Sequence, residues 1–296
     1  ADDAALDFFT TSLLVEGDVE LNGSAHYFED SSIDVNAENG NFGALRAGET
    51  AVLTSVRTPI TVNGGNIDFT STAKLDAQGS NVVLNNGSVI FSDDSTLEFS
   101  LSTMLTINTG NFDLLHNATF LAGSTSIDIF GGDFRVFDDV ALDLDAMDIF
   151  VGGSAQFTNR AQIELTNSEV DVVGGTFSTA DDVVLTFLDT DLNIEGNFVL
   201  DGATHLFEDS TIDILSGVFA SNVQADTTAT RTPITISGGN MEFSDSSNLV
   251  AEDSDIVLNN GNVVFSGDST LEFALDTALT INNGNFDLLN DSQLIA

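Results

Sequence analysis

The chain has no cysteine, no tryptophan, two prolines and only six lysine or arginine residues in 296 positions. Without cysteine there are no disulfides and no thiolate metal sites, and the redox compartment stays open. So few cations exclude nucleic acid and anionic membranes as partners, because both are held by clustered Lys and Arg. No apolar run reaches the roughly 18 residues that would read as a membrane-spanning helix, so membrane insertion is not expected. No signal-peptide pattern is present, and Ala1-Asp2-Asp3-Ala4 fits a mature terminus left after signal cleavage.

What is abundant is acid, glycine and phenylalanine. There are 47 Asp and Glu residues, for a net charge of −41, beside 25 glycines, 23 phenylalanines and a 42% hydrophobic content. That hydrophobic fraction is ample for a core, so the charge does not imply disorder. Such a surface suits high salt, divalent cations or an extracellular matrix, and it also keeps a long apolar stack soluble.

Repeats organise the whole chain. Arg57 to Phe69 (RTPITVNGGNIDF) returns at Arg231 to Phe243 (RTPITISGGNMEF), and Leu84 to Leu115 returns at Leu258 to Leu289, both 174 positions on. Phe28 to Val35 returns at Phe207 to Ile214, 179 positions on, which places a five-residue slip between these segments. Within each long copy a shorter unit recurs. Glycines fall every 21 to 25 residues, from Gly17 and Gly40 through Gly65, Gly87 and Gly110 to Gly261 and Gly284. Two positions after each stands an apolar residue, from Val19 and Phe42 to Val263 and Phe286.

Inside a unit the apolar residues come in pairs two apart, the period of a strand. After Gly87 the pairs are Val89/Phe91, Leu97/Phe99 and Leu105/Ile107. Polar stretches such as Asn-Asn-Gly and Ser-Asp-Asp-Ser lie between them and carry turn chemistry. Three short strands per unit, with apolar rows in register, predict an all-β parallel β-helix or solenoid of about 13 coils of about 22 residues. Right-handed coiling is the prior for parallel crossovers. The glycine column is expected to supply corners with positive φ.

Residues 1–16 read as an N-terminal cap or incomplete coil. Residues 17–296 read as a single solenoid, made of an eight-coil block (17–195) and a partial second copy (196–296). The weakly patterned stretches Leu45–Val56 and Ser221–Thr230, each followed by Arg-Thr-Pro, are expected to bulge as loops. Leu294-Ile295-Ala296 corresponds to Phe120-Leu121-Ala122, mid-coil, so further eight-coil copies are expected in a longer protein.

Enzyme chemistry finds no foothold in the pattern. Lyases of acidic sugars need Lys or Arg around the substrate carboxylate, yet Arg46, Arg57, Lys74, Arg135, Arg160 and Arg231 are scattered. A glycosidase needs two carboxylates at a set separation, and 47 acids make any nominated pair unspecific. The histidines, His26, His116 and His205, are far apart and form no metal motif. His26 and His205 occupy equivalent places in the two copies and read as corner or outward sites. No catalytic residues and no organic cofactor are expected.

The acids form columns. Seven residues after the glycine come Asp94, Asp139, Asp182 and Asp268, with Asn117, Arg160, Ala203 and Ser246 interspersed. A second column holds Asp76, Glu98, Asp143, Glu164 and Glu272. Stacked carboxylates about 5 Å apart repel by roughly 1 kcal/mol per pair in water, and Ca²⁺ would relieve that. Asp94, Asp139, Asp182 and Asp268 are therefore the expected calcium ligands. Threonine holds no outward column of the kind an ice-binding face requires.

The texture G-N-x-x-F, S-T-L-E-F, L-T-I-N-N-G, carried by Gly87 to Asn111 and Gly261 to Asn285, resembles the passenger regions of bacterial surface adhesins. These are the β-helices of the filamentous-haemagglutinin and autotransporter types. The resemblance extends over nearly the whole chain from Gly17, and it implies a secreted, cell-surface, elongated stalk or fibre. This chain departs from those families in its acidity and its near absence of lysine. The expectation is a non-catalytic extracellular scaffold or adhesive stalk at a microbial surface. Its expected partners are its own copies, surface glycans and divalent cations. The alternative is a carbohydrate-binding or polysaccharide-cleaving β-helix.

Overall fold

The computed structural model describes residues 5–37, 43–180, 182–202 and 204–296. Gly40, Phe42, Ala203 and the Ala1–Ala4 start lie outside them. The chain divides into two compact units, Ala1–Gly153 and Ser154–Ala296. Strands are the only regular elements among the described residues. Each unit is a β-solenoid of three parallel sheets, and together the strands make about thirteen turns of about 22 residues.

In the first unit, sheet I runs from Leu6–Phe9 to Ala141–Asp145, sheet II from Ser12–Glu16 to Asp148–Val151, and sheet III from Val19–Asn22 to Phe134–Val136. In the second, sheet III runs from Ala155–Phe157 to Phe286–Leu288, sheet I from Gln162–Thr166 to Gln293–Ile295, and sheet II from Glu169–Val172 to Leu279–Ile281. Within each unit the inner strands pair with their equivalents one coil before and after, as when Leu97 stands opposite Leu75 on one side and Phe120 on the other. Leu6–Phe9 already joins this ladder, opposite His26 to Glu29.

The period of two puts alternate side chains inside. Ile67, Val89, Phe112 and Phe134 form one inner column of sheet III, each nearly or fully buried. Phenylalanine rings one coil apart stack: Phe112 on Phe134 at 5.2 Å, Phe69 on Phe91 at 5.0 Å, Phe243 on Phe265 at 5.0 Å. Burying each such ring is worth about 2–3 kcal/mol, and ring pairing adds about 1 kcal/mol. A lone coil could bury neither, so cohesion comes from stacking.

The glycine column has a reason beyond its torsions. A Cβ on Gly261 would stand 1.6 Å from the carbonyl oxygen of Gly239, one coil back, at a φ of +142°. On Gly65, whose φ is not of that kind, a Cβ would still stand 1.9 Å from the Gly43 oxygen. Close backbone approach, rather than positive φ alone, demands the missing side chain.

Two sequence expectations are corrected. Leu45–Gly48 and Val52–Val56 are strands, as are Phe219–Ser221 and Asp226–Thr230, so no loops bulge there. Leu45, not Phe42, takes the inner place between Val19 and Ile67. The five extra residues therefore lie between Asn36 and Leu45, ahead of the strands rather than within them.

Candidate functional site

The expected calcium ligands all fall at the turn from sheet III to sheet I. In that turn the backbone passes through the left-handed region, at Asp93 (φ 60°), His116 and Asn117 (49° and 64°), Asp138 and Asp139 (61° each), and Gly267 and Asp268 (62° and 60°). A hydrogen bond closes the turn, from Ala118 N to Leu115 O at 3.1 Å and from Ser247 N to Ser244 O at 3.1 Å. Two left-handed central residues, as at His116 and Asn117 or Asp245 and Ser246, make a type I′ turn, whereas in the turn of Asp94 only Asp93 is left-handed. Asp and Asn adopt that conformation more readily than other side chains. The column is acidic because the turn recruits Asp.

Asp94, Asp139, Asp182 and Asp268 are exposed, and the stack does not bring them together. Asn117 separates Asp94 from Asp139, and of the column's members only Asp268 is followed one coil on by another acid, Asp291. The second column is also interrupted: Asp76 faces Glu98, but Glu98 faces Leu121. Among the described residues, no three His, Asp or Glu side chains stand where they could hold one metal ion. Asp182 borders a groove of about 510 Å³, with Asp201 and Asp226 on the two coils that follow.

The histidines stand elsewhere than expected. His26 and His205 point inward from sheet I and are 4% and 0% exposed. His205 lies in register between Leu185 and Thr227, with its Nε2 3.4 Å from the Thr179 hydroxyl. Burial pushes the His205 imidazole down to about 4 and lowers that of His26 as well. Period two settles the matter: each histidine is two residues before an inward Phe, so it shares that face. His116 is exposed at a turn, 3.0 Å from Asp138.

The basic residues clasp one coil to the next. Arg57 holds Asp30 and Glu29 at 2.7 and 2.6 Å; Arg231 repeats this with Asp209 and Glu208 at 2.5 and 2.6 Å. The arginine hydrogen bonds hold Asp30 and Asp209 below the usual carboxylate range. Arg135 grips Asp113 through two contacts of 2.6 Å, Arg46 reaches Asp18, and Lys74 reaches Glu98. Committed this way, these five cations are poorly placed to bind a polyanion.

Sequence reasoning missed a ladder of buried hydroxyls at the turn from sheet I to sheet II. Ser31 N donates to Thr58 Oγ1 (3.1 Å), Thr58 N to Ser80 Oγ (2.9 Å) and Ser80 N to Thr103 Oγ1 (3.3 Å). The second unit repeats it through Ser210, Thr232, Ser254 and Thr277. The hydroxyls donate back to main-chain carbonyls, as Ser80 does to Ser55 O (2.9 Å). The residue before most of them is left-handed, as at Asp30, Arg57, Asp209 and Arg231. A Ser or Thr 14 to 16 positions after most of the column glycines was the available signal. An asparagine ladder marks the turn from sheet II to sheet III, with Asn63 donating to Asn36 and Asn108 to Asn85, both at 2.7 Å.

No protein-family model, no curated protein and no solved structure matches the chain.

Proposed function

We propose that the chain is a non-catalytic structural protein, an extracellular β-solenoid acting as a scaffold, fibre or adhesive stalk at a microbial surface. The observation that carries this reading is redundancy of cohesion. Within each unit backbone ladders tie coil to coil, and ring stacks, buried hydroxyl bonds and arginine clasps reinforce many of these steps. Such linkage resists shear and spreads load, which suits mechanical work, while acidic turns meet solvent cations. Calcium then acts by screening rather than through a preformed cage.

A polysaccharide-binding reading has one feature in its favour. A groove of about 610 Å³ at the sheet I to sheet II turn is lined by polar groups, among them Asn81, Ser102, Ser124, Ser126 and Asp148. Negative-stain electron microscopy of native protein, with EDTA and with millimolar calcium, separates the readings. Filaments of uniform width support the fibre, and calcium dependence gives the acidic turns a role. Short single rods in both conditions overturn the fibre and leave a monomeric stalk or binder.

A further inference from the structure

The outer face of sheet II in the first unit carries an aromatic pair, Phe130 and Phe150. Asn36, Asn63, Asn85 and Asn108 occupy successive places at the edge of this sheet. The next place is taken by Phe130, which is 54% exposed. Its ring lies 5.6 Å from that of Phe150, tilted by 46°. Two carboxylates lie on the N-terminal side of the rings along these parallel strands. Asp128 precedes Phe130 by two residues and stands in register with Phe150, while Asp148 precedes Phe150 by two and stands in register with Ser126. Alternation along each strand sends all four side chains to the same outer face.

The chemistry of this patch selects a cation. An aromatic face attracts positive charge through its quadrupole, and guanidinium groups stack on rings more readily than ammonium groups do. The two neighbouring carboxylates supply acceptors for the N–H groups of the same ligand. Burial raises the Asp128 carboxyl above its ordinary value, and the Asp148 carboxylate raises it further; the charge of an incoming cation would oppose that shift. The net charge of −41 steers cations toward the chain and anions away.

We infer that Phe130, Phe150, Asp128 and Asp148 form a docking site for an arginine side chain presented by a partner protein. One ring packs against the guanidinium plane while the carboxylates take its hydrogen bonds. The site would serve a stalk or a free-standing binder alike.

The test uses the full chain labelled with ¹³C at phenylalanine, in moderate salt, titrated with acetyl-Gly-Arg-Gly-amide. The expected result is saturable shifts of the Phe130 and Phe150 ring signals, with a Kd of about 1 mM. Asp128→Asn, which keeps the side-chain shape, and the double variant Phe130→Ala/Phe150→Ala should each weaken binding, the double variant about tenfold. Acetyl-Gly-Gln-Gly-amide should leave the rings unmoved. Equal affinity in wild type and both variants would overturn the site and assign binding to the general negative field. Saturation by maltohexaose but not by the arginine peptide would overturn it in favour of a glycan platform.

Discussion

The coil that begins at His26 and the coil that begins at His205 share the run Phe-Glu-Asp-Ser-x-Ile-Asp and the same place in the two long copies. Each is clasped by an arginine of the next coil, Arg57 or Arg231, and each has its Ser31 or Ser210 main chain bonded to the following threonine hydroxyl. The contacts between coils are thus conserved between the copies, but the lining around the imidazole is not. His26 stacks between Leu6 and Leu53, and neither of its nitrogens finds a hydrogen bond within the protein. His205 has Thr179 beside one nitrogen and stacks on Thr227, whose own hydroxyl is unpaired. A solenoid preserves what ties coil to coil and lets the polarity of single inner places drift, because each place touches only its immediate neighbours.

Acid breaks this comparison most strongly. An unfolded imidazole takes up its proton near pH 6.5, whereas burial holds His205 down at about 4. Between those values the unfolded chain binds more protons. Stability therefore falls as pH drops below about 6.5 and levels off below about 4, by roughly 3 kcal/mol in all. Urea melts of wild type and His205→Leu at pH 7 and pH 4.5 isolate this part from the carboxylates. The leucine variant should lose less stability on acidification, and His26→Leu should show the same sign. Equal pH dependence in wild type and His205→Leu would mean that the imidazole is not buried neutral.

The hydroxyl ladder should respond alike in both copies. Valine at Thr58 or Thr232 leaves the main-chain N–H of Ser31 or Ser210 without its acceptor. Each variant should lose about 1–2 kcal/mol in urea melts, and the two losses should agree within about 0.5 kcal/mol. Unequal losses would show that the surroundings, not the ladder, set the cost.

The smallest effect belongs to the clasps. Arg57 and Arg231 are exposed, and exposed ion pairs are screened by salt. Arg57→Gln and Arg231→Gln should lower the melting temperature slightly and equally in dilute buffer. The difference from wild type should vanish at about 0.5 M salt. Persistence of the difference in salt would assign the arginines a packing role.

The fold was legible because a solenoid repeats its physics every turn. Thirteen glycines and the apolar residue after each announced the coil length, and pairs such as Leu97/Phe99 announced the strands. Only one coil slipped: Gly43 and Leu45 stand where Gly40 and Phe42 were expected, since the extra residues fall just before them. The candidate site was less legible. Asp94, Asp139, Asp182 and Asp268 line up in sequence, yet Asp139, Asp182 and Asp268 are themselves left-handed and Asp94 follows left-handed Asp93, a turn geometry that sequence spacing does not distinguish from metal binding. The inward histidines were misplaced because residue type was weighed above strand alternation.

Sequence by itself determined the period, the three strands per coil, the inner rows and the duplication, because each depends on local alternation repeated in register. The tertiary structure alone decided what the third dimension brings together. It stacks hydroxyls into a buried ladder and lays Arg46, Arg57, Arg135 and Arg231 on the acids of the coil before. It also closes glycine onto glycine and sets Phe130 against Phe150 beside Asp128. These contacts join residues about 22 positions apart, and whether two such side chains meet depends on how the turns between them are shaped.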